Sequence, residues 1–272
     1  MKVGRKLNKS LVSDFSESGD FALKNPFGYN TYMQQSSSEH TSFHQPLTKE
    51  DIHADINARV SRIDHEFREA FEFIQDYPKS VTFFGSSRST EDNDHYQKAR
   101  SLAGKIVKEL GYAVLTGGSA GIMEAANRGA FEAGGQSVGL NIKLPKEQFP
   151  NKYTTASVDF SFFFVRKVAL SFAAEAYLFF PGGFGTLDEL FEILTLVQTH
   201  KIRRVPVFLI GKDFWDPFHE IIKENLLALH RTINPSDLDL YTVTDNDDEI
   251  ISRIRSVPIH DGKPKHHLFR KD

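Results

Sequence analysis

The sequence predicts an α/β protein: a doubly wound parallel sheet with an extra helix ahead of it. Three observations lead there. From Ser80 onward, short apolar runs alternate with segments of helical length and periodicity. The spacing between successive runs is that of βαβ units, whose crossovers cover both faces of a parallel sheet and are right-handed. Polar, glycine-rich sequence succeeds three of the runs, where a ligand site of such a sheet belongs.

Residues 1–46 are rich in Ser, Asn, Gln and His, as in Gln34–Gln45, lack sustained periodicity and are expected to be disordered. Residues 47–79 hold a helix, read most clearly over 48–77: Ile52, Ile56, Val60, Ile63, Phe67, Phe71 and Ile74 recur at helical spacing, and Asp76-Tyr77-Pro78 ends it. Its apolar face is expected to pack across the outside of the α/β domain. That domain, at 80–257, reads strand Val81–Phe84, helix Tyr96–Leu110, strand Tyr112–Thr116, helix Gly121–Ala133 and strand Ser137–Asn141. A loop containing Leu144-Pro145 and Pro150 leads to helix Phe162–Ala174, strand Ala176–Phe180 and helix Gly185–His200. Strand Val205–Ile210, helix Phe214–Leu229, strand Leu240–Val243 and helix Glu249–Val257 complete it, and residues 258–272 form a polar tail.

Composition narrows the function. The chain has 272 residues, 40% hydrophobic and 25% charged, with a net charge of −3. That balance does not point to nucleic acid, although Lys263–Lys271 is locally basic. There are no cysteines, so disulfides, thiolate catalysis and cysteine-bound zinc are excluded. The basic N-terminus is not succeeded by an apolar h-region, and the most apolar stretch, Phe160–Phe180, is interrupted by Arg166, Lys167 and Glu175. Neither a secretory signal nor a membrane span is expected, and a cytoplasmic location fits. The eleven histidines form no metal constellation and read as structural or exposed, with a small allowance for His200; no metal or cofactor is expected.

The three loops after strands carry the candidate chemistry. The first, Phe84–Ser89 (FGSSRS), offers one glycine, three hydroxyls including Ser86, and Arg88. It also reads as a plain turn with a serine N-cap, and it lacks the G-x-G-x-x-G of a dinucleotide site, which disfavours a dehydrogenase. The second, Thr116–Glu124 (TGGSAGIME), uses Gly117, Gly118 and Gly121 to turn sharply before a helix whose free N–H groups favour an anion. Glu124 lies in that helix's first turn, where it also suits the helix dipole. The third, Pro181–Glu189 (PGGFGTLDE), brings Gly182, Gly183, Phe184, Gly185 and Thr186 to a helix start, an arrangement suited to phosphate. Thr186 and Glu189 also have the spacing of a capping box, but a cap does not need three glycines. Between the second and third loops, Arg166 and Lys167 interrupt an apolar helix. Both stems can snorkel to water, the reading favoured for Lys167; Arg166, a guanidinium, suits phosphate or carboxylate.

In this order and spacing, GGSAGIMEAANRGA, FFFVRK and PGGFGTLDELFE resemble the Lonely guy (LOG) family, cytokinin riboside 5′-monophosphate phosphoribohydrolases also labelled as lysine decarboxylases. EAANRGAFEAGG, LPKEQFPN and LTLVQTHK are most similar to its longer bacterial subgroup, and the resemblance runs from about Ser80 to Ile254. It implies a Rossmann-like fold and hydrolysis of the N-glycosidic bond of a nucleoside 5′-monophosphate, AMP or an N6-modified AMP. It implies Arg166 and Glu189 as the catalytic pair and the PGGFGT glycines with Thr186 as phosphate ligands. Thr195 and Lys167 match further substrate-contacting positions, and Glu147 matches more loosely. It also implies a homodimer or larger homo-oligomer. One departure stands out: Ser119 and Ala120 replace the glycine and proline of G-G-G-P-G-I-M-E. A non-catalytic nucleotide-binding protein would keep the loops without needing Arg166 or Glu189. A lysine decarboxylase would need pyridoxal phosphate on a lysine, and no lysine here is marked for that.

Overall fold

The structure, a computed structural model, describes residues 49–144 and 150–257, all within one unit spanning Thr48–Asp272. The expectations for residues 1–46, for Glu147 and for the tail at 258–272 lie outside the described residues. Seven parallel strands form one sheet: β1 (Ser80–Phe84), β2 (Ala113–Thr116), β3 (Ser137–Ile142), β4 (Ala156–Phe160), β5 (Ala176–Phe179), β6 (Val207–Leu209) and β7 (Thr242–Val243). Their order is β4-β3-β2-β1-β5-β6-β7. The chain winds outward from β1 in one direction, then returns to start again at β5. The topological switch point therefore lies between β1 and β5, where doubly wound sheets bind ligands beyond the strands' carboxyl ends.

Side chains alternate across the sheet, as the strand repeat of two demands. Val81 and Phe83 of β1, with Ala176 and Leu178 of β5, pack against α2 (Asp94–Leu110), α3 (Ile122–Glu132) and α7 (Asp247–Arg255). Phe84, Tyr177 and Phe179 point the other way, toward α1 (Lys49–Ile74), α4 (Phe163–Phe172), α5 (Phe184–Gln198) and α6 (Lys212–Ile221). Phe84 stacks on Phe179 across the switch point, with ring centroids 4.7 Å apart.

Local signals set the helix ends. Asn93 caps α2 by accepting from His95 and Tyr96 N–H, and Gly111, at φ 66°, closes it. This corrects the serine-cap reading of the first loop: the serines lie well upstream of the helix. In α1, Ile63, Phe67 and Phe71 pack on the core, whereas Ile56 and Val60 are exposed, so the apolar stripe is covered over the C-terminal half only. Glu66 of α1 does more than pack. Its carboxylate accepts the Ser161 and Phe162 N–H groups at 2.9 and 3.2 Å, so it satisfies donors at the start of α4, where the helix's own cap residue supplies no side-chain bond.

The expected loop between β3 and α4 contains a strand, β4. Its apolar residues alternate with exposed Ser157, and it sits at the sheet edge, so it lacks the continuous apolar run of a buried parallel strand. The long helix expected over Phe214–Leu229 begins earlier, at Lys212, and changes from α6 to a π-helical stretch at Ile222–Leu229. A 3₁₀ turn at Pro235–Leu240 precedes β7.

Candidate active site at the switch point

The three loops meet at one residue. Ser86 donates its backbone N–H to Pro181 O, and Ser86 O accepts from Ile122 N, both at 3.0 Å. The second loop folds tightly. Gly118 and Gly121 have φ of 71° and 73°, which side chains with a Cβ rarely adopt, and a Cβ on Gly121 would strike the Ser86–Ser87 backbone. Gly118 N–H bonds to Thr116 Oγ1 at 2.9 Å, and Asn151 donates its N–H to Gly118 O at 2.8 Å and its Nδ2 to Ser119 O at 3.2 Å. Asn151 thus holds the turn containing the Ser119-Ala120 departure.

The third loop opens α5. The helix begins at Phe184 with Gly183 as its cap residue, and no side chain caps it. Thr186 is therefore the third helical residue and buried, and Glu189 stands in the second turn. The capping-box reading of this pair is overturned, because the helix starts three residues before a threonine cap would place it. A Cβ on Gly183 or Gly185 would meet nothing within 4 Å, and Gly183 has φ −93°. Nothing in the chain itself demands glycine at either position. Both open onto free space before the unpaired N–H groups of the first turn, which favour an anion.

That space is a cleft of about 760 Å³, within the usual size range for small-molecule sites. Ser86, Gly117, Arg166, the turn Gly182–Thr186 and Glu189 all line it. Arg166 comes from α4. Its Nε donates to Leu140 O at 2.7 Å and its Nη2 to Gly117 O at 3.3 Å, so two backbone carbonyls aim the guanidinium. Gly117 must be glycine for this, since a Cβ would overlap that guanidinium. Burial pushes the Arg166 pKa down, and the Glu189 charge opposes that shift. Burial also raises the Glu189 pKa, while Arg166 and then Lys167 pull it back toward the ionised form. A smaller chamber of about 190 Å³, lined by Asn141 and Phe163 among others, shares Gly117 and Arg166 with the main cleft.

Other expected residues lie elsewhere. Lys167 neither snorkels nor lines the cleft: its Nζ pairs with Asp188 at 2.6 Å and Glu192 at 3.1 Å, tying α4 to α5. Glu124 accepts from Tyr96 OH at 3.1 Å and does not line the cleft. Gly118 lines the smaller chamber, and Gly121 acts through the turn described above. Thr195 is exposed on α5, with Oγ1 donating to Phe191 O at 2.7 Å, away from the cleft of its own chain. Phe184 is 93% exposed at the cleft mouth. His200 is exposed with φ 57°, just beyond the end of α5. Arg88, which the first loop offers, also lines the cleft, as do Phe214 and Phe218, which the sequence does not mark. The two phenylalanines are legible only as an i, i+4 pair on a helix leaving a strand's carboxyl end. Among the described residues no group of three or more His, Cys, Asp or Glu is placed to hold a metal, and no helix is long and apolar enough to cross a membrane.

A family model described as "Possible lysine decarboxylase" matches residues 123–254. The rice (Oryza sativa subsp. japonica) protein named cytokinin riboside 5′-monophosphate phosphoribohydrolase LOG is 35% identical over 152 residues, 54% of this chain and 60% of that one. An Arabidopsis thaliana protein, cytokinin riboside 5′-monophosphate phosphoribohydrolase LOG5, is 24% identical over 196 residues, 70% of this chain and 84% of that one. The match therefore spans less than two thirds of the rice protein's length. Among solved structures, the X-ray structure of TM1055 is similar with a TM-score of 0.50 and 24% identity, covering 66% of this chain and 99% of that one, a likeness of fold.

Proposed function

We propose that this chain, similar to the LOG phosphoribohydrolases, acts as a member of that family and that its cleft hydrolyses the N-glycosidic bond of a nucleoside 5′-monophosphate, AMP or an N6-modified AMP, to free base and ribose 5-phosphate. The observation that carries the reading is Glu189: a carboxylate in the cleft, not used as a helix cap, beside the carbonyl-anchored Arg166. The 5′-phosphate sits against the first-turn N–H groups of α5, at Gly183–Thr186. Glu189 lies three to four residues beyond Gly185 and Thr186, roughly 4.5–6 Å along the helix axis, an offset that suits the distance from the phosphate to the anomeric carbon.

Cleavage of the C1′–N bond builds positive charge on the ribose, as in glycoside hydrolysis. The Glu189 carboxylate stabilises that charge and orients a water molecule. The water oxygen bonds to C1′, the C1′–N pair leaves with the base, and the released proton ends on the base nitrogen. Arg166 supplies the positive neighbour that opposes the upward push of burial on the Glu189 carboxyl.

The active form is proposed to be a homo-oligomer. Phe163, Phe164 and Phe191 are exposed on α4 and α5, and Thr195 lies one turn beyond Phe191. The test of function is chromatographic release of free base from AMP and from adenosine. AMP should be turned over and adenosine poorly; equal rates would remove the phosphate role of the α5 turn.

A further inference from the structure

At the opposite, amino-terminal end of the sheet a second cleft, of about 310 Å³, opens where β6 and β7 begin and α7 ends. Three arginines converge on it: Arg203, Arg204 and Arg253. Asp239 is the acidic residue in the lining, and the Glu175 and Glu249 carboxylates stand beside Arg203 and Arg253, which leaves Arg204 without a side-chain carboxylate among the bonds named below.

The three guanidiniums are held in place from behind. Arg203 pairs with the buried carboxylate of Glu175, Arg204 donates from Nη2 to Asp239 O, and Arg253 donates to Thr242 Oγ1 while lying over the Phe208 ring, 5.3 Å from its centroid. A guanidinium carries five N–H donors in a fixed fork. The bonds named for Arg204 and Arg253 use one donor each, with a Glu249 oxygen 3.7 Å from Arg253 as a looser neighbour. Pre-oriented forks of this kind match a phosphate group, which accepts paired N–H bonds from each.

None of these residues takes part in the proposed hydrolysis.

We propose that this cleft is a second anion site, distinct from the catalytic one, that binds a phosphorylated small molecule through Arg204 and Arg253. Inorganic pyrophosphate is a suitable probe, because it is small enough for the cleft and highly charged. Calorimetric titration of the full chain at fixed ionic strength should show two sites, the other being the phosphate site proposed above at the α5 turn. Gly185→Asp places a negative charge in the first turn of α5, where a Cβ meets nothing within 4 Å, and should remove one site only. Arg204→Gln/Arg253→Gln should weaken the other at least tenfold and leave AMP hydrolysis, assayed without pyrophosphate, intact. Arg204→Gln alone alters an exposed residue and serves if the double variant does not fold. A single site in the wild type that Gly185→Asp abolishes, or a second site that survives both arginine changes, overturns the proposal.

Discussion

Replacing Glu189 by glutamine removes one charge and almost no volume, so it separates the electrostatic role of this residue from its packing. In the folded protein, burial raises the Glu189 pKa above its ordinary 4.5. Between that value and the raised one, the folded state binds protons that the unfolded state has released. Stability therefore falls as pH rises through this window, and the ionised carboxylate costs stability at neutral pH. Glutamine removes that cost, and no cap is lost, because Gly183 rather than Thr186 is the cap residue of the helix. The variant should melt at the same temperature as the parent or slightly higher. Its rate should fall by roughly 10²–10³, the usual effect of deleting one transition-state stabiliser, which corresponds to about 2.7–4 kcal/mol of barrier. The assay is base release from saturating AMP, with thermal melting on the same preparation. An unchanged kcat in a well-folded variant would refute the assignment of Glu189, and a large drop in melting temperature would return it to a structural role.

The geometry fixes three more outcomes. Arg166→Gln removes the positive neighbour that holds down the Glu189 pKa, so the acid limb of the kcat–pH profile should move to higher pH and the rate fall roughly 10²-fold; an unmoved limb would show that the two charges do not communicate. Gly117→Ala puts a Cβ where the Arg166 guanidinium lies, and a displacement of about 1 Å should lower kcat/KM by about 10²-fold while circular dichroism still reports a folded protein; full activity would mean that Arg166 needs no such placement. Phe191→Glu should lower the mass seen by light scattering if α5 lies in a subunit contact, and an unchanged mass would place that contact elsewhere.

How much of this structure is legible in the sequence depends on how local each signal is. The central strands read plainly because both of their faces are buried: Val81–Phe84 is apolar but for Thr82, and Ala176–Phe180 is a continuous apolar run. β4, at the edge and partly exposed, has no such run and escapes detection. The α5 turn is recognisable from its glycines, but the residue at which the helix begins is not. Thr-x-x-Glu spacing looks the same whether the threonine precedes the helix or sits inside it, and only the backbone separates the two. Lys167 is unreadable for a different reason. Its partners Asp188 and Glu192 lie one turn apart on another helix, and nothing in the local sequence announces that α4 and α5 lie side by side. Arg166 gives the opposite result: a guanidinium in an apolar helix points to a site, although the carbonyls that aim it come from β3 and the second loop.

The joint at Ser86 has a consequence for how this protein tolerates change. Both hydrogen bonds that fasten the three loops together there run between main-chain atoms, from Ser86 N to Pro181 O and from Ile122 N to Ser86 O. Every amino acid except proline supplies the same N–H, and all supply the carbonyl. The Ser86 hydroxyl accepts the Arg88 N–H within its own loop and takes no part in these fastenings, so exchanging it leaves the frame tied. Side-chain substitutions around the cleft mouth therefore leave the α5 turn, Arg166 and Glu189 in their relative positions. Proline at 86 or 122 is the exception, since each would delete one of the two fastenings outright.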